Sequence, residues 1–306
     1  MLTFLARRTL LLIPILFGVS IITFLMIHLV PGDPVQIMLG HAPSGTDVAA
    51  LRHQLGLDQA LPVQYGNYVV NALHGNLGTS IRSGRPVVAE IGDRFPATLQ
   101  LTLTAMVIAV ILGVGIGTLA ATSRSRFIDN LLMLIATMGV SLPTFWLGLL
   151  LIYFFALQLG WFPVLSDTSL RGLVLPAITL ALPGAAVLAR VTRASLVDVL
   201  HQDYIRTARA KGLTRSRVVW RHALRNGLIV VLTIAGLQFG GLMAGSVIVE
   251  TVFGRTGLGS FVVNAIQARD YPDIQGVVLV IASFYVVINL IIDVLYGLIN
   301  PRIRVS

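Results

Sequence analysis

"TLLLIPILFGVSIITFLMIHLVPG", residues 9–32, contains no charged residue over 24 positions. A helix that crosses a bilayer needs about 20 predominantly apolar residues, so this stretch is long enough to span a membrane. It is also longer than the 7–15-residue apolar core typical of a secretory signal peptide, and no small-residue cleavage site follows it. The stretch therefore predicts an uncleaved first membrane helix at residues 1–30.

Five further uncharged stretches follow the first one and are long enough, or nearly long enough, to span. They are residues 95–123, 130–166, 172–189, 226–249 and 274–292. Only 11% of the chain is charged, against about 25% in soluble domains, and 56% is hydrophobic. The sequence thus predicts an all-α, polytopic membrane protein with six transmembrane helices. Pro143 is expected to break or kink the third helix, near 130–158, and Pro176 and Pro183 to break or kink the fourth.

The charges between these stretches are divided unequally between the two sides of the membrane. Alternate loops place fifteen of the 22 Lys and Arg residues on the side of the N-terminus, where they face four acidic residues. The other seven cations lie on the opposite side, together with nine acidic residues. Because cations accumulate in cytoplasmic loops, both termini are predicted to be cytoplasmic. This alternation explains the net charge of +9 better than nucleic-acid binding does.

The loop at residues 201–226 holds seven of those cations within twenty residues. Its pattern predicts a short helix from Asp203, ended by Gly212 in a left-handed conformation, and a second helix capped by Thr214. Leu213 and Val218 fall at the positions of a hydrophobic staple. We expect the small residues Ala208 and Gly212 to let another protein approach closely, so that the unit could pass on a push. An ordinary solvated loop is the alternative interpretation.

The segment at residues 31–96 is predicted to form a small helical subdomain outside the cytoplasm. "TDVAALRHQL", from Thr46, places apolar residues at helical spacing behind a capping threonine. "LPVQYGNYVVNAL", residues 61–73, opens with a proline and aligns Tyr65, Val69 and Leu73. Two interpretations stay open: a cap that lies on the membrane, or a docking surface for a soluble partner.

Several motifs along almost the whole chain resemble one family. "RTARAKG" (206–212) resembles the EAA-loop motif of ABC-transporter permeases, in the divergent form of the peptide permeases, with Arg206, Thr207 and Ala208 at the E-A-A positions. The other motifs lie in the order expected for the B-type permeases of the dipeptide/oligopeptide/nickel family. They are "RRTLLLIPILFGVSIITFLMIHLVPGDP" (7–34), "LGLDQALPVQY" (55–65), "GNLGTSIRSGRPVVAEIGDRFPATLQL" (75–101), "VFGRTGLG" (252–259) and "RDYPDIQ" (269–275). Thr256 stands where the family usually has proline, which makes the local turn geometry uncertain.

This resemblance implies a fold, a set of partners and a substrate class. The fold would be that of a type I ABC importer permease, with a transmembrane core at 97–301 in a bacterial inner membrane. The partners would be a second, C-type permease, two ATP-binding subunits, an extracytoplasmic solute-binding protein and membrane lipid. ATP and magnesium would be bound by the ATP-binding subunits, with no cofactor or metal in this chain. Dipeptides or short peptides are the expected cargo, with glutathione or nickel complexes as the alternatives.

The resemblance also implies that one loop couples the permease to its ATPases. In the family this loop forms a coupling helix seated in an ATPase subunit. The residues assigned to it here are Asp203, Tyr204, Ile205, Arg206, Thr207, Ala208, Arg209, Lys211 and Gly212.

The chain shows no pattern of a catalytic or nucleotide-binding site. It has no G-x-x-x-x-G-K-[ST] phosphate loop, no H-E-x-x-H and no G-x-S-x-G, so we expect no enzymatic activity. "GRTGLG" (254–259) is interpreted as a turn, and "GVGIG" (113–117) as a site of close helix packing.

Three polar residues within the predicted spans are candidates for a translocation pathway, although helix-to-helix hydrogen bonding is their commoner use. They are Gln238, Asn289 and Asp293. A secondary transporter driven by an ion gradient is the alternative from another class. It would show inverted repeats and mid-membrane carboxylates, whereas no repeat is visible and Asp293 is the one carboxylate that the sequence places clearly in the membrane.

Overall fold

The computed structural model describes the backbone of residues 2–29, 52–53, 58–166 and 169–299. Within these ranges the side chains of residues 2–9, 27–29, 293 and 295–299 are left out of the description. The chain divides into two compact units: Met1–Pro96 with Thr256–Val287, and Ala97–Arg255 with Ile288–Ser306. We refer to them as unit 1 and unit 2.

Helices make up almost all of the described chain. In order they are α1 (Leu2–Leu29), α2 (Leu61–Leu73), α3 (Val87–Thr122), α4 (Arg126–Ser141), α5 (Thr144–Gln158), α6 (Leu170–Leu200), α7 (Asp203–Ala210), α8 (Arg215–Val252), α9 (Leu258–Ala268) and α10 (Tyr271–Ile299). Two of them contain π-helical segments, Ile152–Gln158 at the end of α5 and Val218–Ala223 near the start of α8. The all-α class predicted from the sequence is confirmed.

Four candidate spans are found in the described part of the chain, or five if a bent pair of helices counts as one. Helices α3, α6, α8 and α10 are each long and apolar enough to cross a membrane, and the bent pair α4 and α5 is either a broken span or a re-entrant loop. The described apolar side chains of α1, Leu10–Met26, form a shorter stretch that continues into residues outside the description. These helices confirm the prediction of a polytopic membrane protein.

The third predicted span is broken rather than kinked. Helices α4 and α5 meet at an angle of 105°, and the break falls at Leu142 and Pro143. Leu142 has an extended backbone (ψ 131°), the conformation that a following proline imposes on its neighbour. Pro143 also lacks the amide proton that would continue the ladder of α4, so the helix stops and restarts.

In α6, by contrast, the helix runs through both of its prolines. Pro176 cannot donate to the carbonyl four residues earlier, that of Gly172. The hydroxyl of Ser166 donates a 2.8 Å hydrogen bond to that carbonyl instead. The N-terminus of α6 is capped by Ser169, whose side chain accepts from the amide of Gly172 at 3.1 Å. A side chain thus replaces the backbone donor that the proline removes.

Unit 2 is packed around α6, most of whose residues are buried. Helix α3 approaches α6 closely at two glycines: a Cβ on Gly113 would lie 2.5 Å from Leu188 Cβ, and one on Gly117 would lie 2.5 Å from the Ala189 carbonyl oxygen. This confirms that "GVGIG" is a site of close helix packing. Helix α4 is held to α6 by Arg193, which donates two 2.6 Å hydrogen bonds to Asp129.

Unit 1 is held together by buried polar contacts as well as by apolar packing. The amide of Gln275, in α10, donates to the carbonyl of Thr23 in α1 at 2.8 Å. Asp270, just before α10, accepts from the hydroxyl of Ser80 at 2.7 Å and from the amide of Arg82 at 2.9 Å. A polar cavity of about 590 Å³ lies beside these residues and is also lined by Glu90 and Arg94.

The segment 252–259 forms a turn followed by a helix. Gly254 has a positive φ of 62°, which confirms the interpretation of "GRTGLG" as a turn. Thr256, at the position where the family usually has proline, is exposed and lies directly before Gly257, the N-cap of α9. Helix α9 therefore starts there without the proline.

Candidate functional site

The 201–226 loop folds as the sequence predicts, into a short helix, a glycine turn and a second helix. Helix α7 ends at Ala210, and Gly212 adopts a φ of 77°. The amide of Gly212 donates to the Arg209 carbonyl at 3.0 Å, and that of Leu213 donates to the Ala208 carbonyl at 3.3 Å. These two bonds form a Schellman motif, in which the residue after the helix must be left-handed, so glycine is favoured here.

One side of α7 is buried in the protein. Ile205 is 0% exposed and Ala208 is 7% exposed. Both belong to an apolar cluster whose other members are Leu196, Val199, Val218, Ala223 and Leu224. The expectation that the small side chain of Ala208 lets another protein approach is therefore wrong, because this side chain is buried within its own chain. Alanine is needed here because α7 packs against its own chain.

The other side of α7 is exposed and carries most of the loop's polar groups. The exposed residues are Asp203, Tyr204, Arg206, Thr207, Arg209, Ala210 and Lys211, followed by Gly212. Only a loose ion pair crosses this surface, with 3.7 Å between Arg206 and Asp203. Arg215, Arg217, Arg221 and Arg225 are also exposed, so all seven cations of the loop face away from the core. We call the exposed residues of α7 together with Lys211 the cationic face.

Two hydrogen bonds tie the loop to the helices around it. The amide group of Asn226 in α8 donates to the hydroxyl of Tyr204 at 2.7 Å. The guanidinium of Arg215 donates to the carbonyl of Thr122, at the end of α3. Just beyond the loop, the hydroxyl of Ser195 in α6 donates to the Gly227 carbonyl in α8 at 3.1 Å. Through the apolar cluster, α7 is packed together with α3, α6 and α8.

The second helix of the loop begins at the predicted residue but with a different cap. Thr214 occupies the N-cap position, yet its side chain makes no capping hydrogen bond. Leu213 instead packs against the cluster that contains Val218, as the staple predicts. The start of α8 is thus fixed by apolar contact rather than by the threonine hydroxyl.

Two of the three pathway candidates, Gln238 and Asn289, have side chains among the described residues. Gln238, in α8, donates from its side-chain amide to the Gly184 carbonyl in α6 at 3.2 Å. Asn289 is half-buried in α10. The side chain of Asp293 lies outside the described residues. Gln238 thus makes the helix-to-helix contact that is the commoner use of such residues.

Sequence reasoning missed a buried polar group in unit 2. Glu250, at the end of α8, is 0% exposed and accepts a 2.6 Å hydrogen bond from the hydroxyl of Thr98. Glu250 ends the uncharged stretch 226–249, and that position was the signal that could have indicated its burial.

Arg255 follows Glu250 closely and is also buried. Its guanidinium donates to the side-chain oxygen of Gln100 at 2.8 Å and to the Ser166 hydroxyl at 3.1 Å. Burial lowers the pKa of Arg255, an effect that the nearby charge of Glu250 opposes. Positive and negative charge thus compensate each other inside unit 2.

Two family models together cover nearly the whole chain. Residues 113–305 match "binding-protein-dependent transport system inner membrane component", and residues 1–102 match the N-terminal part of the same kind of component.

Full-length relatives are also found among curated proteins. The glutathione transport system permease protein GsiC of Escherichia coli K12 is 49% identical over 304 residues, which cover 99% of each chain. The protein of the same name from Shigella dysenteriae serotype 1 matches at the same identity and coverage. Among solved structures, an inward-facing MetNI methionine ABC transporter matches with a TM-score of 0.59 and 19% identity, covering 69% of this chain and 96% of that one. The structural match concerns the fold alone.

Proposed function

Because the chain belongs to the binding-protein-dependent transport system inner membrane components, we propose that it is the permease subunit through which an ATP-driven importer carries glutathione. The match over 99% of both chains at 49% identity is the observation that supports glutathione. Glutathione was an alternative to dipeptides on the sequence motifs, and it now becomes the leading substrate. Both are short peptides, so the proposal narrows the substrate class.

Family membership itself establishes the coarser function. The chain is a multi-pass inner-membrane permease subunit of an ABC importer and has the fold of such a subunit. It is not an enzyme, since ATP is bound and hydrolysed by separate ATPase subunits. A binding protein delivers the substrate.

Uptake into proteoliposomes tests the substrate. The chain is co-purified with its ATPase subunits and partner permease, reconstituted, and supplied with its binding protein and ATP. We expect ATP-dependent accumulation of radiolabelled glutathione that excess unlabelled glutathione abolishes and excess dialanine does not. Accumulation of dialanine or of a nickel complex, without glutathione uptake, would contradict the proposal.

We further propose that the cationic face contacts an ATPase subunit. Ile205 and Ala208 fix α7 to the permease, which leaves Tyr204, Thr207 and Arg209 turned outward. Cations that have no role in packing are available for a partner, and an ATPase closing under ATP would then pull on a helix anchored to three others. On this proposal, α7 is the coupling helix that the resemblance to ABC-transporter permeases implies.

Cysteine cross-linking tests that contact from a single known position, because the chain has no cysteine of its own. Thr207→Cys places a thiol on the cationic face, and Ser125→Cys places one on the exposed turn before α4. In the assembled transporter we expect a short bifunctional reagent to join the Thr207→Cys variant, but not the Ser125→Cys variant, to an ATPase subunit. Equal cross-linking of both, or of neither, would remove the support for the contact.

We also propose that a second, C-type permease completes the translocation pathway and that Gln238, Asn289 and Asp293 border it. The half-buried position of Asn289 supports access to a pathway better than the bonded position of Gln238 does. Asn289→Leu is expected to raise the KM for uptake at an unchanged membrane level, whereas Gln238→Leu should mainly lower stability. Co-purification of one tagged copy with a different permease chain, rather than with a second copy, tests the heteromer.

A further inference from the structure

We propose that α2, in the segment expected to lie outside the membrane, is a lipid-binding helix that lies in the leaflet opposite the N-terminus. The proposal concerns the permease in its membrane and holds whichever substrate is carried. Residues 31–96 were open to two interpretations, a cap that lies on the membrane or a docking surface for a soluble partner, and the proposal favours the cap on the membrane.

Two tyrosines attach α2 to the side of α1. The hydroxyl of Tyr65 lies 2.8 Å from that of Ser20, and the hydroxyl of Tyr68 lies 3.1 Å from that of Thr23. Ser20 and Thr23 donate to carbonyls of α1, so the tyrosines are the donors in both pairs. The ring of Phe24 packs edge-on against Tyr65, with 5.4 Å between the ring centroids.

The attachment points lie well inside the apolar stretch of α1. Ser20 and Thr23 are 12 and 15 residues beyond Arg8, or about 18 and 22 Å along a helix. With Arg8 at the near boundary of a hydrocarbon core about 30 Å thick, both hydroxyls would lie about 10 Å inside the far boundary. A helix bonded at that depth lies at the level of the lipid rather than in the solvent above it.

The tyrosine hydroxyls are hydrogen-bonded in the way that polar groups in a site without water must be. Each tyrosine donates its proton to a serine or threonine hydroxyl, which in turn donates its own proton to a carbonyl of α1. In hydrocarbon an unsatisfied polar group costs several kcal/mol, so such chains are favoured there. Burial raises the pKa of Tyr68, which agrees with a site that excludes water.

The rest of α2 divides into an apolar and a polar exposed surface. At 100° per residue, Pro62, Val63, Gly66, Val70 and Leu73 share one side of the helix, and this set is exposed. Leu73 is 82% exposed and Val70 is 54% exposed. Leu73 follows Tyr65 and Val69 at the predicted helical spacing, but unlike them it is exposed and belongs to the apolar surface.

The polar exposed surface lies next to the apolar one. It consists of Asn67 and Asn71, with the C-cap His74 beyond them and the half-buried Gln64 at its edge, and the helix has no charged residue. A helix with apolar and polar sides that lies along the headgroup boundary buries its apolar side about 5–10 Å deep and turns its polar side to water. The side of α2 with Tyr65 and Tyr68 thus faces α1, its apolar surface fits lipid, and its polar surface fits water.

Spin labels test this arrangement in the assembled transporter, since the chain has no cysteine of its own. Val70→Cys and Leu73→Cys place a nitroxide on the apolar surface, and Asn67→Cys and Asn71→Cys place one on the polar surface of the same helix. The transporter is reconstituted in phosphatidylethanolamine–phosphatidylglycerol vesicles. Collision rates are then measured with oxygen, which concentrates in lipid, and with a nickel chelate, which stays in water.

The proposal expects labels at 70 and 73 to collide more with oxygen and labels at 67 and 71 to collide more with the nickel chelate. Equal access of the nickel chelate to both pairs would place α2 in water and overturn the proposal. Exclusion of both reagents from 70 and 73 would show a protein covering the apolar surface, which overturns it equally. Uptake by each labelled transporter confirms that the variants are folded.

Discussion

Gly117 in α3 lies so close to the backbone of α6 that a methyl group on it would stand 2.5 Å from the carbonyl oxygen of Ala189. Real Cβ atoms do not come so near to backbone oxygen, so the two helices would have to separate. Two residues away, Gly115 has nothing within 4 Å of where its Cβ would be. Close packing of the two helices therefore needs glycine at position 117 but not at position 115.

Gly117→Ala is expected to destabilise the permease by about 1–3 kcal/mol, the usual cost of overpacking. Gly115→Ala should leave stability unchanged or raise it by up to about 1 kcal/mol, since alanine is the better helix former. Thermal unfolding of the two variants in the same detergent measures the difference. If both variants unfold at the same temperature, the close approach of α3 and α6 is not present in the protein.

Ala208→Glu is expected to abolish most transport while the protein still reaches the membrane. The side chain is directed into the cluster of Ile205, Val218 and Leu224, where a buried charge costs several kcal/mol, so α7 would leave its place. Ser125→Glu is the control, because Ser125 is exposed and lies outside the cationic face. Uptake and membrane abundance are measured together. Normal uptake by Ala208→Glu would show that this side of α7 is not buried in the protein.

Thr98→Val is expected to cost about 1–3 kcal/mol, the penalty for leaving a buried acceptor without its donor. The valine has nearly the same shape as threonine but cannot donate to Glu250, which is fully buried. Thr98→Ser keeps the hydroxyl and should cost less. Stability in detergent is the readout, and a valine variant as stable as the unchanged protein, with a destabilised serine variant, would mean that packing of the methyl group, rather than the hydrogen bond, is what matters.

The pair Asp129–Arg193 is expected to contribute about 1 kcal/mol, because both side chains are partly exposed and solvent screens them. A double-mutant cycle with Asp129→Asn and Arg193→Gln isolates the coupling from other effects. The coupling should shrink in 1 M salt, where the screening length falls to about 3 Å. A coupling independent of salt would assign the contact to hydrogen bonding alone.

The sequence predicts the helices well where a single local rule decides the outcome. The lengths of the uncharged stretches locate the spans. Gly212 ends α7 because the turn there needs a residue in the left-handed conformation. The break at Pro143 is less predictable, because the same residue type is accommodated within α6. What differs is the hydroxyl of Ser166, which lies ten residues from Pro176 and reaches the orphaned carbonyl only after folding.

The candidate site is predictable in its position but not in its orientation. Periodicity places Ile205 and Ala208 on one side of α7, yet it cannot say whether that side faces a partner or the chain's own helices. The burial of Glu250 depends on Thr98, 152 residues away, which no local pattern connects to it. Charge alone placed Glu250 in a polar loop, whereas its hydrogen bond places it in the core.

Helix α8 runs without interruption for 38 residues, from Arg215 to Val252. At 1.5 Å per residue it is about 57 Å long, more than the thickness of a bilayer with its headgroups. Such a rod acts as a lever: a tilt of about 5° displaces its far end by about 5 Å relative to its near end. Under the ATPase contact proposed above, a small swing of the end that carries the arginines would become a displacement of several ångströms at the opposite end.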